Sequence, residues 1–277
     1  MTSEINTLEL KLNKSPDKKE KISLLNQLSE KIRGSNVEKS FKYSNEAVEL
    51  ANEISDKESL AKALWNSGVS CRLLSKYDDA FEYFEKSLYV YKATNDRLGM
   101  AKVLNSIGNI YLNLSDYTHS LDNLKKSYEI SQSLDDREFE ARVLSNLGLV
   151  YQEMGDFTES LENYLKSMLI YNSIGIDVPE NLLNNIGIVY QNLDDYSTSL
   201  DYFFKSLKLA EENNNKLDKG FALGNIAIVY SKLNEYENSL KYLNESLDIL
   251  HELGFRQAES NALKNIGNAY KGLGNYE

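Results

Sequence analysis

Small and apolar residues return along this chain in a fixed order. The stretch Leu183-Asn-Asn-Ile-Gly-Ile-Val-Tyr190 has counterparts at Leu64 to Cys71, Leu104 to Tyr111, Leu144 to Tyr151, Leu223 to Tyr230 and Leu263 to Tyr270. Between their central small residues, Gly68, Gly108, Gly148, Gly187, Ala227 and Gly267, the steps are 40, 40, 39, 40 and 40. A period of that size predicts stacked units that bury an apolar face against their neighbours. At about 100° per residue, Leu183, Ile186, Tyr190 and Leu193 share one arc of a helix, the expected core face, with Gly187 at its edge. An interior glycine costs roughly 1 kcal/mol relative to alanine, so its return in most copies predicts a close helix crossing. Each motif helix is followed by a short turn, such as Ser75-Lys76-Tyr77-Asp78 or Gly155-Asp156-Phe157, and then by a longer second helix. Asp78, Asp79, Asp116, Asp156, Asp194, Asp195 and Glu235 gather where that second helix begins, placed to cap free N–H groups and oppose the helix dipole. Polar clusters such as Thr94-Asn95-Asp96, Asp135-Asp136 and Asn213-Asn214-Asn215 read as inter-repeat loops, and Pro179 marks a helix start.

The same pattern sets the expected boundaries. Residues 1–20 form a polar, loose leader; 21–56 a degenerate first repeat; 57–96, 97–136, 137–176, 177–216 and 217–256 five full repeats; and 257–277 an incomplete one. In the last, Gly274-Asn-Tyr-Glu277 matches the turn that opens a second helix elsewhere, so Leu263, Ile266, Tyr270 and Leu273 are expected to lie on an exposed seam. The expectation is a fragment of a longer protein, with an effector domain C-terminal to it or a stand-alone adaptor as the alternative. Hydrophobic residues make up 42% of the chain and only 2 are proline, enough to bury a seam and against disorder. No apolar run has the length of a signal peptide or a membrane span, and a single cysteine, Cys71, forms no intrachain disulfide. A soluble, cytoplasmic protein is therefore expected. The net charge of −11 disfavours nonspecific binding to nucleic acid or to an anionic membrane.

The order Leu144, Gly148, Tyr151, Phe157, Ser160, Tyr164, Ser167 resembles the consensus of the tetratricopeptide repeat, in a longer form than its usual unit. The family's tryptophan position carries leucine, its alanine positions carry Ser120, Ser127, Ser199, Ser206, Ser239 and Ser246, and its terminal proline is missing. The resemblance implies an all-α, right-handed superhelical solenoid of antiparallel helix pairs, with motif helices on the inner face. Similar long-period arrays serve spindle-orientation adaptors, kinesin light chains, bacterial peptide-sensing regulators and the sensory halves of histidine kinases and cyclases. A protein-binding module is implied, with no enzymatic activity and no cofactor.

Function on such a scaffold would sit opposite the core arc. There Asn66, Asn146, Asn185, Asn225 and Asn265 stand in register, and Ser106 alone breaks the series. Asparagine is a mediocre helix residue, so five in register ask for a reason. An amide both donates and accepts, so one reading is a ladder gripping the backbone of an extended peptide, as in some tetratricopeptide families. The other is that these amides bridge adjacent helices or face solvent. The same arc carries Lys62, Lys102, Arg142, Lys264, Arg72, Lys271 and Lys232 against one acid, Glu153, which predicts an acidic peptide. Trp65 and Phe221 are candidate ligand anchors, and Lys264 with Asn268 resembles the start of the family's carboxylate clamp. His119 and His251 have no metal-ligand spacing and read as surface residues, there is no glycine-rich phosphate loop, and Cys71 at a core position reads as a buried thiol. A hydrolase in the groove is the remaining alternative, and it lacks an activated nucleophile.

Overall fold

The computed structural model describes residues 2–15 and 17–274, the side chains of Thr2 and Ser3 excepted. Among the described residues every regular element is an α-helix: α1 (Thr2–Lys14), α2 (Lys18–Ile32), α3 (Val37–Glu53), α4 (Lys57–Leu73), α5 (Tyr77–Ala93), α6 (Arg97–Asn113), α7 (Tyr117–Gln132), α8 (Arg137–Glu153), α9 (Phe157–Ser173), α10 (Glu180–Asn192), α11 (Tyr196–Glu212), α12 (Lys216–Lys232), α13 (Tyr236–Glu252) and α14 (Arg256–Gly272). The fold class is the expected one, an α-solenoid of antiparallel helix pairs. The chain divides into two compact units, residues 1–143 and 144–277.

In the first unit, α2 packs on α3, α4 on α5 and α6 on α7. The leader expected to be loose contains α1. Ile5, Leu8 and Leu12 repeat at three and four residues, and this stripe packs with Leu24 and Leu28 of α2. Glu9 fastens the other side, accepting from Lys39 at 2.6 Å and from the Tyr43 hydroxyl at 2.8 Å. In the second unit α10 pairs with α11 and α12 with α13, and α14 packs on α13.

Most motif helices are as long as the second helices, contrary to expectation: α4, α5, α6 and α12 all have 17 residues. Their starts lie further upstream because Asp56, Asp96 and Asn215 cap them, each side chain accepting from the N–H three residues on. Among the motif helices α2 has 15 residues and α10 is the shortest, at 13. There the chain leaves helix from Ile174 to Pro179, and the 39-residue step coincides with the loss of the first turn.

Most connections share one device. Ser75, Asn95, Ser115, Asp194, Asn214 and Asn234 have φ between 53° and 61°, in the left-handed region. The next N–H then bonds back five residues, as Asp96 does to the Tyr91 carbonyl at 3.0 Å and Asp116 to Tyr111 at 2.8 Å. That same aspartate opens the following helix. Asp116, Asp156 and Asp195 are caps, as expected. Asp78 and Asp79 instead lie within α5, whose cap position, Lys76, makes no side-chain capping bond; Glu235 caps no backbone N–H either, its carboxylate accepting from Asn238 Nδ2 at 2.8 Å. Asp194 is the left-handed residue and accepts from the Tyr196 hydroxyl at 2.7 Å.

Between paired helices the central glycine is sterically required. A Cβ on Gly148 would lie 2.6 Å from the Tyr164 ring, and one on Gly187 the same distance from Phe203. The serines that replace the family's alanines exploit this proximity. Ser120, Ser160 and Ser199 donate to the carbonyls of Gly108, Gly148 and Gly187, each at 2.8 Å, and Ser87, Ser127 and Ser246 donate to Ala61, Ala101 and Gly220 one helix end away. Opposite Ala227 the buried Ser239 hydroxyl has no partner. The buried arc of α10 is Leu182, Leu183, Ile186 and Val189, while Leu193 at the helix end is 48% exposed and Tyr190 stacks on Tyr202. On α14, Leu263 and Tyr270 are exposed as expected, Ile266 and Leu273 are half-buried, and the turn that continues to Glu277 lies outside the described residues.

Candidate functional site

Two members of the asparagine series, Asn66 and Asn225, bridge neighbouring motif helices. Asn66 is fully buried; its Nδ2 donates to Asn26 Oδ1 at 3.1 Å and its Oδ1 accepts from Arg33 Nη2 at 2.6 Å. Asn66 is thus removed from the peptide ladder, because a ligand could reach its amide only by breaking both bonds. Asn225 repeats the arrangement, donating to Asn184 Oδ1 at 3.0 Å. Asn185, half-buried, lies beside Tyr164, whose hydroxyl donates to Gln152 Oε1 at 3.2 Å and whose burial pushes the phenol well above its usual range. Asn146 and Asn265 are half-buried.

Ser106 breaks the series for a structural reason: it accepts from Trp65 Nε1 at 2.9 Å, so a serine–tryptophan pair replaces an amide pair at that interface. Trp65 is therefore held in place by its own fold, with one face under the Arg33 guanidinium, 5.3 Å from the ring centre. Its edge lines a cleft of about 470 Å³ in the first unit, together with Lys62, Lys102 and Arg142. These four sequence candidates are brought together.

The cleft is less one-sided in charge than the arc predicts. Glu30, Glu58 and Asp96 also line it, from helix ends just outside the arc positions. Glu30 pairs with Lys62 at 3.1 Å, and Asp96 is occupied capping Gly99 N–H at 2.8 Å. Lys102 and Arg142 are left as the available cations; Arg142 also lies over the Phe139 ring at 5.5 Å and only 4.0 Å from Glu138. Arg72 is not in this cleft. In the second unit, Phe221, Asn225 and Asn265 line a separate hollow of about 160 Å³ with Gly224 and Ile228. Phe221 is 37% exposed and packs edge-on against Phe255.

The groups that could carry chemistry are in ordinary settings. His119 pairs with its own cap residue Asp116 at 2.7 Å and stacks on Tyr111, and His251 meets Glu259 at 3.1 Å. Cys71 is buried, and burial pushes its thiol up to about 11, away from the reactive thiolate. Among the described residues no group of three or more histidine, cysteine or carboxylate side chains could hold a metal ion, and no helix is long and apolar enough to cross a membrane.

Helix pairs with a small residue under an aromatic ring, repeated at forty residues, are matched by a profile of the tetratricopeptide-repeat family over residues 32–93, 99–174, 179–252 and 221–277. The chain is a tetratricopeptide-repeat protein. Repeats of this family ordinarily serve as protein-interaction scaffolds. Among curated proteins no match is found. Solved structures similar in fold include the APC/C hetero-tetramer Cut9–Hcn1, 16% identical over 97% of this chain and 46% of that one, with a TM-score of 0.75. A signal-transduction ATPase of the STAND class with a tetratricopeptide-repeat sensor, from Pyrococcus horikoshii, gives 17% identity over 96% of this chain and 42% of that one, with a TM-score of 0.73. A Rap protein complexed with Competence and Sporulation Factor gives 12% identity over 99% and 80%, with a TM-score of 0.72. This tetratricopeptide-repeat chain thus spans less than half the length of the first two.

Proposed function

We propose that this tetratricopeptide-repeat protein is a non-enzymatic scaffold that binds an extended, acidic segment of a partner along its motif helices, as the sensory or regulatory part of a cytoplasmic signalling protein. The observation that carries the reading is the cleft in the first unit, where Lys102 and Arg142 flank the fixed edge of Trp65. A rigid aromatic wall beside two cations suits a carboxylate-bearing chain, since the wall loses no side-chain freedom on binding. The hollow under Phe221, with Asn225 and Asn265, would take a second part of such a segment. Asn146 and Asn185 are retained in this reading and Asn66 is not. A regulatory role is supported by the fold shared with a STAND sensor and with a Rap protein that was solved with a bound factor.

A pull-down with the full chain followed by mass spectrometry identifies the partner, and truncation of that partner gives the bound segment. Its affinity is expected to fall with salt, and about tenfold in Lys102→Gln or Arg142→Gln, while Glu162→Ala on a second helix leaves it unchanged. Equal losses from all three would remove the cleft from the mechanism.

A further inference from the structure

The first unit carries a second concavity, a groove of about 650 Å³ bounded by α3 and α5. Leu60 and Leu64 of α4 form its floor, one turn apart and on the face of that helix away from Lys62 and Trp65. Val48 enters from α3 and Val90 from α5.

The space has a cause in the sequence. At the register of Val48 the later repeats carry Leu88, Tyr128, Met168, Leu207 and Leu247. At the register of Val90 the chain has Leu50 before it, and Ile130, Ile170, Leu209 and Ile249 after it. Each valine is the smallest side chain at its position, and both line the same groove, where the missing methylenes leave room.

The rim is equally particular. Tyr89 is 75% exposed, at a position that holds Glu129, Leu169, Lys208 and Asp248 in later repeats, so packing of the array does not demand an aromatic there. It stands one turn beyond Glu85, which makes the two side chains neighbours on α5. Among the described residues Glu85 has neither an ion pair nor a hydrogen bond, whereas the other charged group of the lining, Lys86, is paired with Glu82 at 2.6 Å. The Tyr83 wall is fixed, its hydroxyl donating to Asn45 Oδ1 at 3.2 Å and its ring set T-shaped against Phe41.

An apolar bed of small-molecule size is thus joined to one carboxylate without a partner and to an exposed aromatic ring. The carboxylate selects positive charge, and the face of a tyrosine attracts it as well, more strongly where hydration is lost. Along α3 the lining runs only from Asn45 to Asn52, about 10 Å, which suits a compact body better than a long partner helix.

We infer that the groove between α3 and α5 binds a small organic cation with an apolar body, the body resting on Val48, Leu64 and Val90 and the charged head lying between Glu85 and Tyr89. The groove shares no lining residue with the Trp65 cleft, so the inference stands or falls independently of the peptide reading.

The probe is octyltrimethylammonium below its micelle concentration, with octanoate, octanol and tetramethylammonium as controls, titrated calorimetrically into the full chain. Saturable binding is expected, about tenfold or more tighter than that of octanoate or tetramethylammonium. Glu85→Gln is expected to weaken the cation about tenfold and to leave octanol unchanged. Val90→Ile, which installs the side chain found at this register in three other repeats, should weaken both octyl compounds about tenfold without lowering the melting temperature. In the unsubstituted protein the methyl NMR signals of Val48 and Val90 are expected to move on titration while the indole signal of Trp65 stays still. Equal affinity for octanoate, or full affinity in Glu85→Gln, would overturn the cation, and methyl signals that do not move would overturn the site. A dimer that Val90→Ile dissolves would give the groove to a second copy of the chain. Binding of a basic amphipathic peptide without binding of the small cation would give it to a partner helix, and either result overturns the inference.

Discussion

At the scale of single residues, the replacement of alanine by serine changes how helix pairs are joined. In the family's consensus the small side chain only permits contact; here the hydroxyl of Ser160 adds a bond to Gly148 O at 2.8 Å. A net contribution of about 1 kcal/mol is typical for such a bond, so Ser160→Ala is expected to destabilise by that amount. Ser239→Ala should do the reverse, by about 1 kcal/mol, because it removes a buried hydroxyl that has no partner. Urea melts of the two variants, run side by side, decide the point: a loss of stability in both would refute the distinction. The sequence carries the small size of these positions plainly, through their spacing. It does not carry the acceptor, because a carbonyl twelve or twenty-six residues upstream is brought close only by the crossing itself. The asparagine series is a similar case: its register is legible, whereas the bonds from Asn66 to Asn26 and from Asn225 to Asn184 depend on how far adjacent motif helices are offset. Arg33 was missed because the degenerate first repeat lacks the glycine that sets the register; Ser29 fills that place, accepting from Ser40 at 2.7 Å.

At the scale of elements, helices were legible from periodicity but their starts were not. The clusters around Asp56, Asp96 and Asn215 look like loops because they are polar, yet each holds a cap that lengthens the following helix. The helix in the leader is hidden for the opposite reason, since Ile5, Leu8 and Leu12 make a narrow stripe that a polar composition masks. The turns offer a direct test. Ser115 has φ 59°, a conformation that costs an L-residue with a Cβ roughly 1 kcal/mol and glycine nearly nothing. Ser115→Gly is therefore expected to stabilise by about 0.5 kcal/mol or more, read as a rise in melting midpoint, and a fall would contradict the left-handed turn.

At the scale of the whole molecule, the family and the helix-pair architecture follow from the forty-residue spacing, while the charge of the binding face does not. A net charge of −11 and a run of lysines on one arc suggest strict segregation, but Glu30, Glu58 and Asp96 enter the same cleft from residues outside that arc. What the period most tightly constrains is length. Since Asp96 both closes α5 through the bond to Tyr91 O and opens α6 by capping Gly99, the joint has no slack in which to hide an added residue. An insertion there must be passed on as rotation, about 100° of it, turning a helix's buried arc toward water. One glycine inserted between Asn95 and Asp96 is accordingly expected to lower the melting temperature well below that of the same insertion between Asp177 and Val178, where the longer connection can absorb it. Equal melting temperatures for the two would show that the joints have play. By that logic, length can vary freely in this array at only a few joints, and a change elsewhere is tolerated only if it adds or removes a whole unit.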